Sequence, residues 1–435
     1  MTPLASMPTQ SAEPLARFIL VLTLAFVLCV AQSAAAPAVS GPPPGVVITA
    51  SPDSQKIFVG SPTITILPDG SYLVGHDYGG VGAGERRGST FILSSRDRGV
   101  TWTKLAELPD QKWSTLFPYR GAIYLLGTSA KASNMIVRRS TDGGRTWTNP
   151  TDAQNGLLAE GRYHCGPTPV IVHAGRVWRA FEQYAPSAPE RAFRAFVMSA
   201  PADADLLDAK SWTRTNQIGV DKQWLNTRNA EWLEGNVVVA PGGEIVNVLR
   251  VESHQAAGAA WELPGAARGI PRFEVGAMAR ISADGRTFAF DPAKDFVHFI
   301  GSEAKFTIRF DPVSKRYWSL ANKITNPRSG TEWVQSPHHQ RNVIALTSSA
   351  DLREWREETR ILRYAEGSVV VKEGSRVGFQ YLDWQFDGDD LVAVCRLAWN
   401  GANYHDSNHI TFHRVKNFRS RTMADSAPEL AAAAL

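Results

Sequence analysis

One pattern recurs often enough along the chain to dictate its architecture: an apolar strand, a polar turn and a second apolar strand. It appears as "SPTITILPDGSYLVGHDYG" from Ser61, "STLFPYRGAIYLLGTS" from Ser114 and "GPTPVIVHAGRVWRAFEQY" from Gly166. It returns as "EGNVVVAPGGEIVNVLR" from Glu234, "KFTIRFDPVSKRYWSLAN" from Lys305 and "YLDWQFDGDDLVAVCRLAW" from Tyr381. Most of the turns supply the Gly or Asp that a tight hairpin needs at positive φ. Each hairpin is followed by a third strand, from "STFILSS" to "NHITFHRV", and most of these lead into a fourth that carries an aromatic residue, such as "TWTKL". A small four-stranded sheet buries its faces only against neighbouring sheets. Six such units in tandem therefore predict an all-β chain, a six-bladed β-propeller of four-stranded antiparallel blades. The last copy lacks an evident fourth strand, and "GVVITAS" from Gly45 is expected to supply it and close the ring.

The ends of the chain read differently. Arg17 precedes the apolar run "FILVLTLAFVLCVA", and the small residues of "QSAAAP" follow. This is the layout of a signal peptide, over residues 1–36, with a run short for a membrane span. A Pro-rich lead-in over 37–44, the propeller over 45–420 and a flexible tail over 421–435 complete the expected organisation. The mature chain is expected to be secreted or periplasmic, monomeric and without a membrane span. The formal net charge of +4 comes with no long block of one sign, so no nucleic-acid partner is expected. Cys165 and Cys395 are too few for a disulfide framework, and no Cys/His spacing suits zinc. No metal and no cofactor are expected.

The turns between third and fourth strands narrow the reading further. "SRDRGVTW" from Ser95 and "STDGGRTW" from Ser140 share the pattern Ser-x-Asp-x-Gly-x-Thr-Trp, and "SADGRTF" from Ser282 and "SADLREW" from Ser349 are degenerate copies. In such a turn Asp97 or Asp142 accepts backbone N–H groups, Gly takes the left-handed position and Trp packs between blades. These turns are the Asp-box, or bacterial neuraminidase repeat. With the six hairpins, they make the chain resemble the sialidase superfamily from about Val47 to Phe418.

That resemblance implies an exo-acting, retaining glycosidase that releases a terminal acidic sugar from a glycan. Residue by residue, Tyr381 matches the nucleophile, Glu234 its base, and Arg250 and Arg341 two of the arginines that bind the sugar's carboxylate. The chemistry suits these types. A neutral Tyr avoids the repulsion that a carboxylate nucleophile would meet from an anionic sugar, and guanidinium groups pair with carboxylates through two hydrogen bonds. The chain departs from the family at two places. Gly60 and Ser61 of "FVGSPTI" stand where the first arginine is expected, with Lys112, Lys305, Arg309 and Arg396 as candidate replacements. The proton donor falls in "GHDYGGVGAGERRGS", where Glu85 and Asp77 rank equally and His76 is a substrate contact or an alternative acid.

Further polar and aromatic residues fall at strand ends expected to converge on one face: Trp113, His164, Glu182, Tyr184, Trp232, Asn236, Asn322, Asp383, His405 and Asp406. Of these, His164 and Asp383 are assigned as substrate contacts. Two other readings stay open: a lyase or hydrolase acting on a uronic-acid polysaccharide, and a non-catalytic glycan-binding propeller.

Overall fold

The computed structural model describes residues 39–430 except 185–192, 228, 255–262, 264–266, 327–336 and 368–374. The signal-peptide reading therefore lies outside the described residues. Among them, no helix is long and apolar enough to cross a membrane.

The sheets form six antiparallel blades in chain order. β1 (Val46–Ala50) belongs to the last of them. Blade 1 holds β2 (Phe58–Ile66), β3 (Tyr72–Gly79), β4 (Thr90–Ser95) and β5 (Thr103–Leu108). Blade 2 holds β6 (Lys112–Tyr119), β7 (Ala122–Thr128), β8 (Met135–Ser140) and β9 (Leu157–Ala159). In blade 3 the inner strand is broken into β10 (Tyr163–His164) and β11 (Ile171–His173), which pair with β12 (Arg176–Tyr184). Beyond it lie β13 (Phe193–Pro201) and an outer strand broken into β14 (Thr213–Arg214) and β15 (Ile218–Gly219). Blade 4 has β16 (Asn229–Val239), β17 (Ile245–His254), β18 (Val275–Ile281), and β19 (Phe288–Ala289) with β20 (Phe296–His298) outermost. Blade 5 has β21 (Thr307–Asp311), β22 (Arg316–Asn322), β23 (Val343–Ser349) and β24 (Trp355–Arg363). Blade 6 has β25 (Gly378–Asp387), β26 (Asp390–Ala398) and β27 (His409–Val415), and β1 pairs with β27 as its fourth strand.

The core is divided as the architecture requires. Six apolar clusters lie one at each interface between consecutive blades. Trp178, Trp232 and Trp384 are fully buried in them. Closing contacts between blades 6 and 1 add charge: Asp387 accepts from Tyr72 Oη and from Arg414, and pairs with Arg98.

Around the centre the inner strands are tied by a ring of side chains, each satisfied by the following blade. Thr63 Oγ1 accepts from Leu116 N at 3.1 Å, and Thr115 Oγ1 donates to Thr168 O at 2.8 Å. Thr168 Oγ1 donates to Gly235 O, Asn236 bridges Phe306 O and Ile308 N, and Thr307 Oγ1 donates to Leu382 O. Asp383 Oδ2 closes the circle by accepting from Thr63 Oγ1 and Ile64 N.

The Ser-x-Asp turns fold as their spacing suggests. Asp142 accepts from Arg145 N, Thr146 N and Thr146 Oγ1, Ser140 Oγ donates to it, and Trp147 Nε1 reaches Gly144 O. Asp97 repeats this set. In the copy at Ser349, Leu352 takes the glycine's place at φ 67° and is fully buried. The chain after Arg421, expected as a loose tail, is anchored as far as Leu430. Ala427 N and Leu430 N donate to Arg360 O and Arg363 O, and Tyr364 bridges Leu430. The exposed edge of β24 offers those carbonyls, and an unpaired strand edge recruits backbone.

Candidate active site

The inner strands of four blades carry the same irregularity. In β2, β6, β16 and β25 one extra residue is inserted against the partner strand, between Gly60 and Thr63, Lys112 and Thr115, Leu233 and Asn236, and Gln380 and Asp383. Each bulge holds one residue in the left-handed region: Ser61 (φ 50°), Trp113 (φ 55°), Glu234 (φ 53°) and Tyr381 (φ 55°). This conformation costs a non-glycine residue roughly 1–2 kcal/mol, and bulges re-aim side chains that a regular strand would bury between blades. The residue paired with the start of each bulge is then Asp77, Thr128, Arg250 or Arg396. One local geometry, repeated, gathers Tyr381, Glu234, Arg250, Asp77 and Arg396.

Tyr381 is partly exposed as a residue, but its hydroxyl is enclosed. The phenol is hydrogen-bonded to Glu234 and lies 3.5 Å from Arg250 Nη1. Arg396 stands over its ring at 5.0 Å and Arg341 at 5.8 Å. Burial and the Glu234 carboxylate push the phenol above its ordinary pKa, so it rests protonated. Burial raises Glu234 too, but Arg250 and then His164 outweigh it and hold the carboxyl below its usual range. The pair is thus a neutral phenol beside an ionised carboxylate.

The three arginines are not alike. Arg250 Nη1 is 2.7 Å from Glu234 Oε2, its Nη2 pairs with Glu252, and its Nε donates to Glu303 O. Its charge is therefore spent inside the protein. Arg341 donates to Gln380 Oε1 and His338 O. Arg396 donates to His405 O at 2.6 Å, while its buried Nε has no hydrogen-bond partner among the described residues. Arg396 also occupies the space beside Gly60: a Cβ on Gly60 would lie 3.8 Å from Arg396 Nη1. Of the candidates for the absent first arginine, it is the one the fold brings to the Tyr381 ring. Lys305 is buried against Leu382 O and Thr307, with burial pushing its pKa down to about 8, and Arg309 is held by Asp383 and Trp384 O.

Asp77 and Glu85, equal on sequence grounds, separate in the structure. Asp77 is buried at the wall of a cleft of about 780 Å³ shared with Ser61, Trp113, Arg396 and His405. It accepts from Thr90 Oγ1 and Trp113 N, both at 2.7 Å. Burial lifts its pKa to about 7 against these bonds, Ser61 and the Lys112 charge. Glu85 stands exposed on a 3-10 turn, Val81–Arg86, beside which Val81 and Arg87 line the cleft.

His164 joins the cluster. Its Nδ1 is 3.1 Å from Glu182 Oε2, whose other oxygen accepts Gly235 N, and its ring packs 4.5 Å from Trp113. His405 and Asp406 are 3.0 Å apart at the Arg396 end of the cleft. Two expected substrate contacts stand elsewhere. His76 alternates with Asp77 along β3, so it points to the other sheet face, hydrogen-bonds with Thr49 Oγ1 and stacks on Phe91. Burial pushes its pKa down to about 4. Asp383 is fully buried, occupied by the inter-blade ring and Arg309. Trp232 packs between blades 3 and 4. Cys165 and Cys395 are free thiols in different blades. A second cavity of about 710 Å³, lined by Val237, Val239, Ile308, Tyr317 and Phe386, takes in Arg309 alone of the candidate residues.

No family model and no curated protein matches the chain. Solved structures do. It is similar to an alpha-L-arabinanase of Penicillium chrysogenum complexed with arabinobiose, at 14% identity and a TM-score of 0.52, over 87% of this chain and 98% of that one. An alpha-L-arabinofuranosidase of Fusarium graminearum with an iminosugar inhibitor aligns at 11% identity and a TM-score of 0.53, over 86% and 97%. A Hadza microbial sialidase aligns at 13% identity and a TM-score of 0.52, over 86% of this chain and 68% of that one. At these identities the likeness is one of fold, and it is to propellers whose names are those of enzymes that act on glycans.

Proposed function

We propose that the protein is a retaining exo-glycoside hydrolase that removes a terminal acidic sugar, a sialic acid or a related acid sugar, from a glycan outside the cytoplasm. The observation that carries this reading is a neutral phenol, Tyr381, hydrogen-bonded to the ionised Glu234 and flanked by Arg341 and Arg396. Tyr381 Oη attacks the anomeric carbon and its proton passes to Glu234. Asp77, its pKa raised by burial to about 7, gives its proton to the leaving oxygen. The Asp77 carboxylate then takes a proton from water, which attacks the same carbon and releases Tyr381. The phenol recovers its proton from Glu234. Arg341 and Arg396 retain the donors for the sugar carboxylate. Arg250, bound to two carboxylates, instead holds Glu234 in place and stabilises the forming phenolate.

The test is an assay of the mature protein on aryl glycosides of sialic acid, other ulosonic acids and uronic acids, with Tyr381→Phe as control. Release of a saturated acid sugar by the parent and not the variant supports the reading. An unsaturated product absorbing in the ultraviolet would assign a lyase, and tight binding without release a non-catalytic module.

A further inference from the structure

The cleft does not end at Asp77. It runs from blade 6 across blade 1 to blade 2, from Arg396 and His405 to the loops carrying Arg87 and Lys131. These loops are in contact: a Cβ on Gly88 would lie 2.1 Å from Ala130 Cβ. Three cations line this far end, Arg87, Lys112 and Lys131. Among the described residues, no carboxylate lies within ion-pair distance of any of them. Two acid groups act on Lys112 from beyond that distance, Asp77 and Asp110. Asp110 Oδ1 accepts Lys131 N at 2.8 Å and Asp77 accepts from Thr90 and Trp113, so three cations face two acids here. Lys112 Nζ sits 4.1 Å over the Trp113 ring, and its two hydrogen bonds, to Ala130 O and Ser133 Oγ, are long at 3.4 Å. The ammonium covers one face of the indole and presents charge there.

We propose that this end of the cleft is a subsite for an anionic group on the residue that follows the scissile bond. The substrate class is then a glycan with acid groups on two successive residues. Unpaired cations in a concave site focus potential on an anion. The geometry follows from the reading above: Arg341 and Arg396 take the terminal acid, Asp77 stands at the leaving oxygen, and Arg87, Lys112 and Lys131 lie beyond it. The inference rests on that reading.

The test uses Tyr381→Phe, which binds without turnover, and calorimetric titration of three oligosaccharides ending in the same sialic acid. These are sialyllactose, a disialic acid, and sialyllactose sulfated on its galactose. Both anionic forms are expected to bind about tenfold more tightly than sialyllactose in ~50 mM salt, with the advantage shrinking at ~200 mM. The carboxylate and sulfate arms report which group the subsite prefers. Adding Arg87→Gln and Lys131→Gln, both at exposed positions, is expected to remove most of the advantage. Equal, salt-insensitive affinity for all three sugars would overturn the subsite and leave the acid-sugar pocket standing. An advantage undiminished by the two substitutions would overturn its location. Failure of all three to bind would overturn the subsite and the reading it rests on.

Discussion

The carboxylates of the rim turns and those of the central cleft are the same groups in opposite surroundings. Asp97 and Asp142 lie at the periphery, where hydrogen bonds from Thr101 and Thr146 pull their pKa values down, to about 2 for Asp97. Asp77 also accepts two short hydrogen bonds, yet its pKa rises to about 7, because burial outweighs them. Glu234 is equally buried, but Arg250 and His164 reverse the sign. Hydrogen bonds alone therefore do not decide where a carboxyl titrates. Access to water decides first, and the nearest fixed cation second.

The largest effect is expected at Tyr381. Tyr381→Phe is expected to lower kcat by at least about 10³-fold while circular dichroism and Tm stay near the parent's. A variant within tenfold of the parent would remove the phenol from the chemistry. Asp77→Asn comes next, with a loss of about 10²–10³-fold on substrates with poor leaving groups and a smaller loss on activated aryl glycosides. The parent's kcat/KM should fall above about pH 7, as Asp77 loses its proton, and again below the usual glutamate range, as Glu234 gains one. Loss of the alkaline limb in Asp77→Asn identifies Asp77 as its source; an unchanged limb would point to another acid. Arg396→Gln should act on binding, raising KM by about tenfold with a smaller change in kcat.

The smallest functional effect is expected at the rim. Asp142→Ala should lower Tm by a few degrees and leave kcat/KM within about twofold, since the turn is closed by its own residues. The pH dependence of stability separates the two regions as well. The rim carboxylates have depressed pKa values, so their contribution is present above the ordinary Asp range and is lost as pH falls towards about 2. Asp77 has a raised value, so its ionisation weighs against the fold as pH rises from the ordinary range through about 7. A melting series from pH 3 to pH 9 on the parent and the two variants checks both signs.

The fold was legible because hairpin turns and strand alternation are local signals, and six copies reinforce each other. Closure by β1 was legible for the same reason, as the last copy was one strand short. Within the site, Glu234, Arg250, Arg341 and Tyr381 could be placed by their position in a repeat. Arg396 stood among four candidates without preference, because what selects it is the pairing register beyond the Gln380 bulge. A signal was available: Arg250 stands opposite the residue before Glu234, and Arg396 and Asp77 stand likewise opposite the residues before Tyr381 and Ser61, so the hairpins lay out the three pairs alike. His76 and Asp383 were harder, since a buried polar residue that serves packing or an inter-blade bond looks the same in sequence as one that faces a ligand. The anchoring of residues 421–430 depends on which strand edge is free, which is a property of the assembled sheet.

The inter-blade ring bears on how the molecule assembles. Each of its members reaches a partner in the next blade, and Asp383 reaches its own in the first. A chain halted after five blades would leave Thr63, Ile64 N and Thr307 Oγ1 without the partners that blade 6 brings, and β1 without β27 to lie against. The earliest-made strand of the propeller is thus the last to be seated. The nascent protein must carry an unpaired β-edge through its whole synthesis, so a chaperone that shields extended strands is the helper such a topology calls for.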